Sequence, residues 1–126
     1  RALTAYLQAH AGLLPRSLAL DGKSVGNGRC GMIVTLCRHE DGRPVAMTVA
    51  RGKKEDCEVS EGRALLADPQ VQLVHALVTA DPLHNKEATV RVILDKGGDD
   101  LIGTKANTAK RLAGATQALQ GTPFLN

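Results

Sequence analysis

Aromatic side chains are almost absent from this chain of 126 residues, which contains one Tyr, one Phe and no Trp. A protein that stacks single-stranded bases on aromatic side chains needs several exposed rings. This chain has only Tyr6 and Phe124, which are too few for a base-stacking surface. Any contact with nucleic acid would therefore run through phosphates or metal ions. The formal charge of +3 permits this contact but is too small to indicate it.

Cysteine and long apolar runs are also scarce. Cys30, Cys37 and Cys57 are odd in number and show no C-x-x-C spacing, which argues against a disulfide framework and against a zinc knuckle. No apolar run approaches the ~20 residues that span a bilayer, and no basic segment followed by an apolar stretch opens the chain. We therefore expect reduced thiols in a cytoplasmic protein that does not enter a membrane.

The length suits one hydrophobic core, and the pattern of apolar residues divides it into alternating elements. Residues 1–16 are interpreted as an N-terminal helix, over 2–14, and a linker that contains Pro15. Residues 17–126 are interpreted as the core. Within it we predict strands over 17–21, 31–38, 45–50, 73–80 and 100–104. We predict helices over 60–67, 85–96 and 108–119, the first of them capped by Ser60.

This order of elements predicts an α/β fold. Three strands in a meander followed by two right-handed crossovers give a mixed five-stranded sheet of order 3-2-1-4-5, with helices on its faces. The first strand then lies parallel to the fourth. Asp21 ends the first strand and Asp81 ends the fourth, so both carboxylates should face the crevice that opens at the carboxyl ends of such strands.

Two aspartates at adjacent strand ends indicate a cation site. They repel each other by about 4 kcal/mol at 4 Å and an effective dielectric near 20, and a divalent ion would offset this repulsion. Magnesium binds through one or two carboxylates, several waters and substrate phosphate, which suits phosphodiester chemistry. A purely structural interpretation stays open, because Asp21-Gly22 is an ordinary turn pair and Asp81-Pro82 is an ordinary helix start.

Four motifs in order bear on this choice. They are LALDGKS at 18–24, VTADPLH at 78–84, ILDKGGD at 93–99, and the pair Lys105 and Asn107. In order and spacing, over about residues 17–112, they resemble the DDE transposases of bacterial insertion sequences, in the branch that includes the H-repeat-associated proteins. The resemblance implies an RNase H-like catalytic core for DNA transposition, which cleaves and transfers DNA strands.

The resemblance also implies roles for individual residues. Asp21 and Asp81 would be catalytic and would bind Mg²⁺ or Mn²⁺. The residues that would contact the double-stranded DNA of transposon ends are Lys23, His84, Lys105 and Asn107. The structural alternative for His84 is a solvated side chain in the first turn of an exposed helix. A homodimer is compatible with this family, and no membrane partner is expected.

The chain departs from the family at several positions. In the family an arginine usually follows the first motif, but in this chain it is shifted or absent within the segment from Val25 to Arg29. Pro82 also stands where the family has alanine, and Ala106 stands where it has glycine. The family also places a third acid, a glutamate, on a later helix, but residues 108–126 contain no Asp or Glu. We therefore expect a core truncated before the third acid, by evolution or by loss of sequence, with weak metal binding and little or no turnover.

Two other functions remain open at this level. One is a noncatalytic remnant that binds DNA or a protein partner through its Lys and Arg side chains. The other is a small α/β ligand-binding domain, which would contain a closed apolar pocket instead of an open acidic crevice. The glycines at 26, 28 and 31 do not indicate a nucleotide site, because no helix is predicted to follow them.

Overall fold

A mixed sheet forms the centre of the protein. The computed structural model describes residues 2–10, 17–26, 31–50, 54–105 and 109–120. The strands are β1 (Ser17–Ser24), β2 (Met32–Arg38), β3 (Pro44–Ala50), β4 (Leu77–Ala80) and β5 (Asp99–Ile102). Their order is β3-β2-β1-β4-β5. β1, β2 and β3 are antiparallel neighbours, and β4 lies parallel to both β1 and β5. The predicted fold class and strand order are confirmed.

Two crossover helices cover one face of the sheet. The helices are α1 (Ala2–His10), α2 (Lys54–Ala67), α3 (Glu87–Asp95) and α4 (Ala109–Gln120), and a short 3-10 turn spans Pro82–His84. α2 connects β3 to β4, and α3 connects β4 to β5. Both connections run across the sheet in the same direction, from β3 towards β5. If both are right-handed, as such crossovers nearly always are, their helices lie on the same face of the sheet. Accordingly, α2 contacts α3, while α1 contacts the edge strand β3.

The hydrophobic core lies between this pair of helices and the sheet. Along β1 the side chains of Leu18 and Leu20 are buried, and the intervening Ala19 is partly exposed, as expected for a strand whose faces differ. β2 repeats the pattern with buried Val34 and Leu36. Burial of each such side chain contributes about 2 kcal/mol. The core therefore fixes which residues of β1 face α2 and which face away.

The largest difference from the sequence-based expectation is the start of α2. We predicted an irregular segment up to Glu58 and a helix capped by Ser60, but the helix begins at Lys54. Ser60 lies inside it, and its hydroxyl donates a hydrogen bond to the carbonyl oxygen of Cys57. The charged segment is therefore helical.

Two strands also differ in length from the prediction. β1 continues three residues beyond Asp21, because Gly22, Lys23 and Ser24 pair with β2. β4 begins at Leu77 instead of residue 73, because the backbone turns at His75, which has a φ of 59°. A residue other than glycine rarely adopts this left-handed backbone conformation inside a strand. β4 is thus a short central strand that leads directly into Asp81.

The remaining elements lie close to their predicted positions. α3 is shorter than predicted because the 3-10 turn Pro82–His84 precedes it, and Gly97 ends it with a φ of 78°, as expected of a C-terminal glycine. The predicted linker at 11–16 lies outside the described residues. No helix within the described part of the chain has the length and apolar character needed to cross a membrane.

Candidate acidic site at the ends of two parallel strands

The register between β1 and β4 brings Asp21 and Asp81 to neighbouring positions. Leu20 and Ala80 form the last register pair of these parallel strands, and the two aspartates follow immediately. Adjacent strands lie about 4.8 Å apart, and paired residues of parallel strands point to the same face. Both aspartates are exposed. Their backbones therefore lie side by side at the carboxyl ends of β1 and β4.

The backbone after β4 holds Asp81 in a defined conformation. Its Oδ1 accepts a hydrogen bond of 2.8 Å from the backbone N–H of Leu83, and Asp81 thereby caps the 3-10 turn. The predicted helix-start role of Asp81-Pro82 is thus confirmed for this turn. The same Oδ1 lies 3.9 Å from Lys105 Nζ. Asn85 donates to the carbonyl oxygen of Gly103 at 3.1 Å, which ties the turn to the segment that carries Lys105.

The face of β1 that carries Asp21 also carries Lys23, and both act on a nearby thiol. Burial raises the pKa of Cys37, Asp21 raises this pKa further, and Lys23 lowers it in part. Cys37 pairs with Ala19 on the adjacent strand, two residues before Asp21, so the pKa of this thiol depends on the charge of the Asp21 carboxylate. Lys23 is exposed and available to a phosphate.

His84 does not lie where the resemblance implies. Its side chain is fully buried, and its Nε2 lies 3.2 Å from Glu58 Oε1. The solvated side chain expected from a first-turn position is therefore wrong, because the turn after β4 directs the imidazole into the interior against α2. In this conformation the ring has no exposed surface with which to contact DNA. Asn107 lies outside the described residues.

Glu58 is the residue of this region that the sequence-based reasoning missed. It lies in α2, is buried, and stands directly over Gly22 of β1. A Cβ atom on Gly22 would lie 2.6 Å from Glu58 Cδ, so only glycine leaves room for this carboxylate. Because side chains alternate along β1, Gly22 faces α2 and Asp21 faces the opposite side. Glu58 thus lies behind the strand end, facing away from Asp21.

Two carboxylates at neighbouring strand ends have the donor chemistry that Mg²⁺ and Mn²⁺ prefer. Asp21 and Asp81 can supply the one or two carboxylates with which Mg²⁺ is usually bound, leaving water as the other ligands. Among the described residues, no group of three or more His, Cys, Asp or Glu side chains could hold a metal ion. Asp99 and Asp100 pair with Leu77 and Val78, three to four residues and about 10 to 13 Å along β4 from Asp81.

No protein-family model matches this sequence, and no curated protein matches it. The resemblance to DDE transposases therefore rests on the four motifs alone and remains a prediction.

The charge of Asp21 can be tested through the reactivity of Cys37. In a background with Cys30→Ser and Cys57→Ser, we expect Asp21→Asn to raise the alkylation rate of Cys37 at about pH 8 by about two- to fivefold. The substitution removes a negative charge that disfavours the thiolate, so the pKa of Cys37 falls and more thiolate is present. The rate is measured by iodoacetamide labelling and mass spectrometry.

Lys23→Met serves as the matched control for this measurement. Lys23 lowers the pKa of Cys37, so its removal should slow alkylation, opposite in sign to Asp21→Asn. An unchanged rate in Asp21→Asn would contradict the electrostatic contact between Asp21 and Cys37. A saturating concentration of Mg²⁺ should mimic Asp21→Asn if the ion binds at this carboxylate.

Proposed function

We propose that this chain is an RNase H-like catalytic core of the DDE transposase type, in which Asp21 and Asp81 bind a divalent cation. The observation that carries the proposal is the register of β1 and β4, whose last pair, Leu20 and Ala80, directly precedes the two exposed aspartates. Open α/β sheets bind ligands at such strand ends. Two of the four motifs of the resemblance, at 18–24 and 78–84, include these strands and the aspartates that follow the register pair.

A bound Mg²⁺ or Mn²⁺ ion would supply charge stabilisation at the phosphate and would activate the attacking water or 3′-hydroxyl group. The residues of this chain would do the remaining work. Asp21 and Asp81 would hold the ion on the side of the sheet that faces away from α2. Lys105, 3.9 Å from Asp81 Oδ1, and the exposed Lys23 would attract DNA phosphates. The expected substrate is the double-stranded DNA of transposon ends.

The expected level of activity follows from the number of carboxylate ligands. Two carboxylates can hold one Mg²⁺ ion weakly, but a second metal ion needs a further anchor. Residues 108–126 contain no Asp or Glu, so this part of the sequence offers none. Asp99 and Asp100 start β5 beside the opposite end of β4, which removes them as substitutes. We therefore propose cation binding without strand cleavage or transfer by this chain alone.

A titration with Mn²⁺ tests the proposal. We expect weak binding by isothermal titration calorimetry, lowered at least about tenfold by Asp21→Ala or by Asp81→Ala, because each removes one of two carboxylate ligands. Asp95→Ala is the matched control, since Asp95 is an exposed carboxylate on α3 outside this site. Equal loss of binding in all three variants would indicate unspecific attraction by acidic side chains and would contradict a site at Asp21 and Asp81.

Incubation with DNA that bears transposon ends tests the second half of the proposal. We expect no strand cleavage and no strand transfer in the presence of Mg²⁺ or Mn²⁺. Metal-dependent cleavage that Asp81→Asn abolishes would contradict the proposed loss of turnover. It would also require another carboxylate to reach the site.

A noncatalytic binding function is the second candidate, and the Lys105 contact favours it. The ammonium group already lies 3.9 Å from Asp81 Oδ1, where it competes with a cation for the same oxygen. In that case Lys105 and Lys23 would bind phosphate without chemistry, and DNA binding would not depend on Mg²⁺. A DNA affinity that is equal with Mg²⁺ and with a chelator would favour this candidate over the first.

The depression found on α3 does not favour a small-molecule binding domain. The depression of about 260 Å³ on the outer side of α3 is lined by Asn85, Glu87, Val90, Arg91, Leu94 and Asp95. Three of these six side chains are charged, and the depression is open to solvent. It thus lacks the closed apolar character that such a function predicts.

A further inference from the structure

A buried contact between a carboxylate and an imidazole lies directly behind the acidic site. Glu58 and His84 approach to 3.2 Å between Oε1 and Nε2, with side-chain exposures of 11% and 0%. Buried polar groups lower stability unless they form hydrogen bonds, so this contact is required once both groups are in the interior. Such a bond between two chain segments restrains both of them.

The pair joins three elements that surround Asp81. Glu58 belongs to α2, His84 ends the 3-10 turn that Asp81 caps, and Gly22 of β1 lies under the Glu58 carboxylate. Gly62, one turn further along α2, admits the imidazole: a Cβ atom there would lie 2.9 Å from His84 Cε1. Two glycines thus leave the space that this contact occupies. The packing fixes the turn relative to both α2 and β1.

The surroundings of the two ring nitrogens of His84 indicate which of them carries the proton. His84 Nδ1 is buried and has no hydrogen-bond partner among the described residues, whereas Nε2 faces the carboxylate. A proton on Nε2 makes this nitrogen the donor to Glu58 and leaves only an acceptor unpaired at Nδ1. Glu58 therefore acts as the acceptor that orients the ring. A side chain at position 58 needs an oxygen acceptor for this purpose but does not need a negative charge.

We propose that Glu58 is a positioning residue, which anchors the Asp81 turn by accepting a hydrogen bond from the buried His84. The anchoring has one consequence that rests on the proposed function: an Asp81 held in place binds a cation better than a mobile one. The anchoring itself does not depend on a cation. Glu58 projects from α2 into the interior, behind β1, and touches neither a substrate nor an ion.

Hydrogen exchange tests the anchoring without any metal. The backbone N–H groups of Leu83, His84 and Asn85 bond to Asp81 Oδ1, Asp81 O and Pro82 O within the turn. In the full chain we expect Glu58→Ala to raise their exchange rates at least about tenfold, because the turn loses its buried anchor. Glu58→Gln should keep these rates within about twofold of the unchanged protein, because its amide oxygen is still an acceptor.

The chain offers a matched control one turn further along α2. Glu61 also accepts a side-chain hydrogen bond, from Thr48 of β3 at 3.3 Å. Glu61→Ala removes the same charge and a comparable bond without touching the turn, so the exchange rates at Leu83 to Asn85 should not change. If Glu58→Ala does not fold, as judged by circular dichroism, His84→Leu replaces it. This variant keeps an apolar side chain in the interior but lacks the donor, and the same tenfold rise is expected.

Mn²⁺ affinity, measured below the melting temperature of each variant, tests the consequence. Glu58→Ala should weaken binding about tenfold, Glu58→Gln should keep it within about threefold, and Glu61→Ala should not change it. If Glu58→Gln weakens binding as much as Glu58→Ala, the charge itself acts on the ion and the positioning role is overturned. Unchanged exchange in Glu58→Ala would overturn it as well. Absence of Mn²⁺ binding in the unchanged protein, with the exchange response intact, refutes the proposed function and leaves the anchor standing.

Discussion

Replacement of Lys96 by Met is expected to lower the free energy of unfolding by about 3 kcal/mol. Lys96 Nζ donates three hydrogen bonds to backbone carbonyl oxygens, at 2.6 Å to Leu66, 2.6 Å to Asp68 and 2.7 Å to Val71. These carbonyls lie at and just after the C-terminal end of α2, where helical partners are lacking. Met has a similar length but no donor, so all three oxygens lose their charged partner.

The expected size follows from two opposing effects. Hydrogen bonds to a charged group contribute about 1.5 to 3 kcal/mol each, which would amount to more than 4 kcal/mol for three. Desolvation of the ammonium group opposes this gain: burial lowers the pKa of Lys96, and Asp68 offsets part of that decrease. The free energy of the three hydrogen bonds is therefore offset in part by the cost of removing the ammonium group from water. Partial hydration of the freed carbonyls reduces the loss further.

Urea unfolding followed by circular dichroism measures this loss. Lys86→Met is the matched control, because Lys86 is exposed and lies at the start of α3. It should change the free energy of unfolding by less than about 0.5 kcal/mol. A loss of similar size in both variants would show that the effect comes from net charge instead of the three carbonyl contacts.

The fold was predictable from the sequence because its signals are local. Alternating apolar residues in β1 and β2, Asp81-Pro82 after β4 and Gly97 after α3 mark elements through short-range chemistry. The order of these strands and helices along the chain is then compatible with only a few sheet topologies. The Lys96 contacts were not predictable in this way, because they join residues 25 to 30 positions apart through backbone oxygens that carry no sequence signal.

The candidate site was predictable only in part. Asp21 and Asp81 follow strands, and the register of parallel strands brings them together. Glu58 was missed because its segment was interpreted as irregular, and His84 was assigned to the surface because a first-turn position is usually exposed. The helix predicted over 60–67 gives one signal that could have found Glu58: extended back by two residues, it places Glu58 seven and eight residues before Leu65 and Leu66, on the same face. The burial of His84 depends on the packing of α2 and leaves no such signal.

Gly22→Ala is expected to lower the free energy of unfolding by about 3 kcal/mol. The new Cβ atom would lie 2.6 Å from Glu58 Cδ and 2.9 Å from Glu58 Oε1, closer than nonbonded atoms can approach. The Glu58 side chain must move, and the movement strains or breaks its buried contact with His84. Excess volume in a packed interior costs about 1 to 3 kcal/mol, and loss of a buried pair adds to this.

A double-mutant cycle separates this explanation from a general intolerance of alanine in β1. In a Glu58→Ala background the obstructing side chain is gone, so Gly22→Ala should then cost less than about 0.5 kcal/mol. Gly114→Ala on α4 is the control for the backbone effect of losing a glycine. A Cβ atom there meets no described atom within 4 Å, and the change should stabilise the protein by about 0.5 to 1 kcal/mol. Equal costs of Gly22→Ala in both backgrounds would contradict the contact between Gly22 and Glu58, and with it the packing that holds the Asp81 turn against β1.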